Sequence, residues 1–456
     1  MNKYKLVDEA YTHLKRVVAL KDFSDVKVGE KGGLIKKEAN LSQEGECWVY
    51  GNAIVIEDAR VMGKAKVTGN AWVSGSAIVS GNATVKGDAE VGGNAVVIEN
   101  AVVEGNAVVK GWAGVHGNAT VKGDAEVGGN AVVYGNAVVE GFATVKGKAL
   151  VKEDATVKGK AEMCGNTVVE GKATVEGNAI VTEDAQVIGN ARVQGNAAVK
   201  GKAEVSGYAV VEGKATVEGK AVVRENALVK GKAWVDGHAI VEESAIVKSD
   251  AIVTEDAQVI GNARVQGNAQ VSGNARVQGN AVVEGDTLVE GNAVVEGYAI
   301  VRGNAVVERF ALVQGNAVVE GDARVKGNAI IGGDAWVDGN AVVDEGVINC
   351  AVYLERGEEE GKAEEAEEKE EGKVEEAQEK DKVEHQHNTE ELTMENNENI
   401  ITPNTYTPSL QPRKDWIAAR VASISFHISL LSTDIGKNHE EMCACITELN
   451  DLLRED

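Results

Sequence analysis

From position 53 to position 341, small and branched apolar residues return with a fixed stride of six. Every sixth residue is Ala, replaced only by Thr167 and Thr287, which makes 49 successive hexads without an insertion or deletion. Val follows two residues after each Ala, as in Val55, Val61 and Val67, with Met163 and Ile331 as departures. Six residues carry an α-helix through roughly 600°, so the Ala/Val stripe would smear around the cylinder. The Gly-Asn pairs that close many hexads would also break a helix. In an extended segment, Ala and Val point to one face and the residue between them to the other. The pattern A-x-V-x-G-N therefore predicts a short strand followed by a corner, repeated.

The corner chemistry agrees. The residue before Ala is Asn or Asp in 33 of the 49 hexads, and the one before that is mostly Gly; both tolerate positive φ and tight turns. Two near-duplications bear on the number of sides. ATVKGDAEVGGNAVV starts at Ala83 and again at Ala119, and AIVTEDAQVIGNARVQGNA starts at Ala179 and again at Ala251. The offsets, 36 and 72, are both multiples of 18 and favour three hexads per coil. A buried Val stabilises by about 1.5–3 kcal/mol, whereas ordering costs about 1–2 kcal/mol per residue. One coil cannot stand alone, and stability must come from stacked neighbours.

Val55 to Ala59 and Val61 to Ala65 place an aliphatic residue four positions before a small one, as does nearly every hexad. In this the chain resembles the hexapeptide-repeat family, which implies a single-stranded left-handed parallel β-helix of about 16–17 three-sided coils. The stretch Leu14–Ala53, with DFSDVKVGEKGG and LSQEGECWVY, is similar to the segment that precedes the coils in the YdcK-like group of hexapeptide-repeat transferases. Residues 1–46 are expected to cap the N-terminal end, where an uncovered strand edge would invite aggregation. The β-helix is expected over 47–350.

Beyond it, the composition changes. Residues 355–398 hold 19 acids against 6 bases, about half of the chain's net charge of −25. Residues 351–412 read as a disordered linker, first acidic and then Pro-containing. From Trp416, the positions Ile417, Val421, Ile424, Ile428, Leu431 and Ile435 keep a heptad seam. Residues 413–456 are thus expected to form a helical hairpin or coiled coil and to drive self-association. An acidic chain without a basic stripe argues against nucleic-acid and anionic-membrane partners. No apolar run spans a bilayer, the N-terminus lacks a signal-peptide core, and five scattered cysteines form neither a disulfide framework nor a zinc motif. A cytoplasmic location, no cofactor and no metal are expected.

Chemistry in the repeat block is sparse. Acyl transfer of the kind the resemblance implies, from a CoA or carrier-protein donor, needs a general base. The histidines of the coils are His116, at an outward strand end, and His238, at a corner; each also reads as a solvent-facing substitution. Corner aromatics Trp112, Phe142, Tyr208, Tyr298 and Phe310 could stack on sugars, but they are spread over all three corners. The Glu-Asp corners at Asp58, Asp154, Asp184 and Asp256 lack a calcium-binding signature. Outward Thr residues are interrupted, unlike the regular ladder of an ice-binding face. The sequence favours a structural or interaction protein, a rigid acidic rod with a C-terminal oligomerisation module. Acyl transfer is the alternative, and glycan or surface binding a second one.

Overall fold

The structure, a computed structural model, describes residues 2–10, 12–349 and 353–354. The linker, other than residues 353–354, and the helical segment expected at 413–456 lie outside the described residues. Apart from one 3-10 turn at Glu38–Asn40, the regular elements are strands.

Each hexad forms a strand at the residue after Ala and the Val that follows, as in Val210–Val211, and pairs in parallel with the strand one coil away. The pairing interval is 18 residues: Val193 lies beside Val211, and Val211 beside Val229. Three parallel sheets result, stacked around a narrow axis. The N–H of Val210 donates to the carbonyl of Ala227 and that of Glu212 to Val229, both at 2.9 Å, and this pattern repeats along the rod. The Ala and Val columns face inward and are fully buried as far as Val337. The core is therefore an axial stack of methyl groups, one coil thick.

The N-terminal segment builds a lid from β1 (Tyr4–Asp8), β2 (Lys15–Ala19) and β3 (Lys31–Ile35), paired antiparallel in that order. β3 then pairs in parallel with Ile54–Val55. The GG of the cap motif is explained here. A Cβ on Gly32 would lie 2.5 Å from the Val49 carbonyl oxygen, and one on Gly33 would lie 2.4 Å from that of Ala53. Tyr4 and Phe23 close edge-on around the buried Trp48 at 6.2 and 5.3 Å. The Tyr4 hydroxyl donates to the Leu41 carbonyl at 2.5 Å. Lys3 is buried, and its ammonium reaches the Cys47 carbonyl at 2.9 Å and the Cys47 sulfur at 3.2 Å. Burial lowers its pKa.

The rod makes about 18 turns rather than 16–17. A first coil is assembled inside the cap from β3, a bridge between Leu41 and Val61, and Trp48–Val49. One corner two residues too long, between Leu41 and Val49, and the lack of Ala-x-Val pairs hide it from a search for hexads. At the other end the ladder continues to Tyr353–Leu354, which pairs with Trp336–Val337. Trp336 and Tyr353 are 17 residues apart, so one residue has dropped from the corner near Gly346. At about 4.8 Å per coil, 18 turns span roughly 85 Å.

Candidate functional site

The corners divide labour between their two residues. Gly holds the left-handed conformation, for example φ 78° at Gly177 and φ 74° at Gly195, whereas the Asn or Asp that follows keeps negative φ. Nine non-glycine residues, seven of them Glu, occupy the same left-handed slot in the coils with φ of 58–68°. Glu57, Glu99 and Glu255 offset this strain by accepting the N–H of the next corner, that of Gly75 at 2.6 Å, Gly117 at 2.5 Å and Gly273 at 2.8 Å.

The Asn column is a side-chain ladder, a role that the turn argument had missed. Asn82 donates its carboxamide N–H to Asn100 at 2.9 Å, Asn100 to Asn118 and Asn118 to Asn136 at 3.0 Å, and Asn136 to Asp154 at 2.9 Å. An Asp carboxylate accepts and cannot donate, so it ends the run. The Glu-Asp corners are thereby accounted for: Asp154 and Asp184 terminate amide ladders, Asp58 pairs with Lys37, and Asp256 faces His238.

Charges on the strands are arranged in the same way. In one column Lys86 meets Glu104 at 2.6 Å, Lys122 meets Glu140 and Lys158 meets Glu176 at 2.9 Å, and Gln194 donates to Glu212 at 2.7 Å. On another face Lys110 and Lys146 bracket Glu126 at 2.5 and 2.9 Å, and the bond from Lys110 is the main cause holding that carboxyl below its usual range. At the cap, the Tyr50 hydroxyl at 2.8 Å and then the Lys66 ammonium at 3.1 Å hold Asp25 down to about 2.

The two histidines are not brought together. They are 122 residues apart in a coil of 18, which separates them by roughly 30 Å along the axis. His238 is an exposed corner residue 3.7 Å from Asp256. His116 is not simply solvent-facing: its ring stacks on Tyr134, one coil on, with centroids 5.2 Å apart and planes 9° from parallel. The 18-residue spacing of His116 and Tyr134 was visible in the sequence as soon as three sides were assumed. Surface grooves of about 400 Å³ lie along Glu176, Gln194 and Glu212 and along Lys37, Glu57 and Ser76.

Residues 257–273 and 269–285 match the family described as the YdcK β-solenoid repeat. In these coils, over residues 257–285, the chain is similar to that repeat. A stretch of 72 residues is 39% identical to a protein of Escherichia coli (strain K12) named "Uncharacterized acetyltransferase YdcK", covering 13% of this chain and 22% of that protein. The match thus spans about a fifth of the curated relative. The hexapeptide resemblance read from the coils holds, with YdcK-like features. No helix among the described residues is long and apolar enough to cross a membrane.

Proposed function

We propose that the protein is a structural and interaction scaffold, an acidic rod that holds binding surfaces at fixed spacing. The observation carrying this reading is the unbroken outline from Ala53 to Ala341. The coils share one backbone frame, and many outward Asn, Gln, Lys and Glu side chains pair with the coil 18 residues on, which stiffens the faces. Self-association through 413–456 would join rods. Light scattering of the full chain, and of a chain ending at residue 412, tests this. The full chain should be oligomeric and the shortened one monomeric, with small-angle scattering showing an elongated particle in both. A compact particle would refute the rod.

A second reading, acyl transfer from a CoA or carrier-protein donor, draws on the relative's printed name and on His116 at an outward face beside an aromatic ring. Acetyl-CoA should then raise the melting temperature, and His116→Ala or His238→Ala should abolish transfer. Acetyl-CoA without effect on melting would remove this reading.

A further inference from the structure

One coil departs from its neighbours in several ways at once. Gly114 occupies an outward mid-strand position, between Val96 and Val132 of the adjoining coils. Its φ is not left-handed. The nearest atoms to a Cβ there would be His116 Cδ2 at 3.6 Å and Val132 Cγ1 and Cγ2 at 3.8 and 3.9 Å, which are ordinary contacts. Neither backbone nor packing requires glycine, so its effect is to leave a slot one side chain deep in an apolar stripe. The stacked His116 and Tyr134 rings stand at one end of the strand, and Trp112, 69% exposed, stands at the corner leading into it.

Trp112 also interrupts the polar corner column. Asn94 and Asn130, one coil to either side of it, have an indole as neighbour where a laddered Asn would have a carboxamide. Neither enters an amide ladder of the kind formed by Asn82, Asn100 and Asn118. An exposed aromatic plane flanked by two uncommitted carboxamides, next to a slot edged by His and Tyr, combines a stacking surface for C–H groups with donors and acceptors for hydroxyls. This combination suits a ring that is apolar on its face and polar around its edge.

We propose that this coil binds a pyranose residue of a glycan, with Trp112 as the stacking platform, the Gly114 slot admitting the ring, and His116, Asn94 and Asn130 meeting its hydroxyls. The proposal goes beyond the scaffold reading and does not depend on self-association. Isothermal titration of the full chain with cellohexaose, chitohexaose and mannohexaose tests it. At least one should bind, and Trp112→Ala and Gly114→Val should each weaken that binding by about tenfold or more. Trp234→Ala removes an indole whose N–H is bonded to Glu218 and should leave binding unchanged. Circular dichroism melts confirm that each variant is folded. The proposal is overturned if none of the three sugars binds at millimolar concentration. It is equally overturned if Trp112→Ala and Gly114→Val bind like the parent, or if Trp234→Ala loses binding to the same degree.

Discussion

Replacing Val211 by Asp probes the central claim of the fold, that one methyl column runs along a dry axis. Val211 is fully buried between Val193 and Val229 of the adjoining coils. Losing its side chain from the core costs about 1.5–3 kcal/mol. A carboxyl there must also stay protonated. Its ordinary pKa is about 3.9 and each unit is worth about 1.36 kcal/mol, so neutrality at pH 7 costs about 4 kcal/mol. The total, about 6 kcal/mol, falls on the two interfaces that this coil makes, and in a nearest-neighbour solenoid the rod should open there while its ends persist. Far-UV circular dichroism melts should show a lower first transition, and limited proteolysis should cut near the site. The folded-state pKa is raised, so the penalty is small below the unfolded value and grows as pH rises. Between about pH 5.5 and pH 8 it should grow by up to about 3.4 kcal/mol. Both conditions lie above the isoelectric point near 4.8. Val211→Asn should lack this pH dependence. Glu212→Lys, outside the barrel wall, loses the bond from Gln194 and should cost at most about 1 kcal/mol. Parent-like melting of Val211→Asp at both pH values would refute the inward assignment.

Thr287 stands in the Ala column with its hydroxyl buried and without a hydrogen-bond partner, so Thr287→Ala should stabilise by about 1 kcal/mol in urea titrations. Glu99→Ala keeps a left-handed non-glycine residue while losing the bond to Gly117; Glu99→Gly loses the same bond but relieves the strain, and should be more stable than the Ala variant by about 1 kcal/mol. Equal or reversed stabilities would contradict the account of the corner. Asp25 has a depressed pKa, about 2 against 3.8, so its contribution is present above the unfolded value and lost as pH falls toward 2. Asp25→Asn should flatten that part of the melting-temperature profile, read by comparing variant and parent over the same range.

The inward positions were legible because the hexad is strict: an Ala or Val two apart in an extended chain has one face to share, and every such residue from Ala53 to Val337 is buried as expected, Thr167 and Thr287 included. The first coil was not legible, since its core positions Ile35, Leu41 and Val49 lie six and then eight residues apart and carry no Ala-x-Val pattern. The Asn column was read only as turn chemistry. Its amide ladder is a property of neighbouring coils, and it emerges when residues are lined up 18 apart, as with Asn100, Asn118 and Asn136. His116 read as a drifting surface residue for the same reason, because its partner Tyr134 is remote in a hexad and adjacent in a coil. Gly114 carries no signal of its own in the sequence, being one more glycine in a glycine-rich repeat.

Near-identical coils pose a register problem, because a slip by 18 residues would leave every Ala and Val inside. Chain continuity solves most of it. Each strand's partner is the next coil in sequence, so the contacts close short loops and the ladder can grow one coil at a time. What remains is where growth starts, and the cap differs from the rest in the property that matters. Tyr4, Phe23, Trp48 and Leu41 supply bulky, mutually specific packing found nowhere in the methyl column, and Lys3 binds the Cys47 carbonyl and sulfur at its edge. A nucleus there would fix the first coil, and the amide ladders, each Asn donating to the residue 18 further on, would carry that register toward the C-terminal end. Coil number is then free to vary by whole duplications, as the repeated segments at Ala83 and Ala119 illustrate, without altering the cap or the face on which any side chain lies.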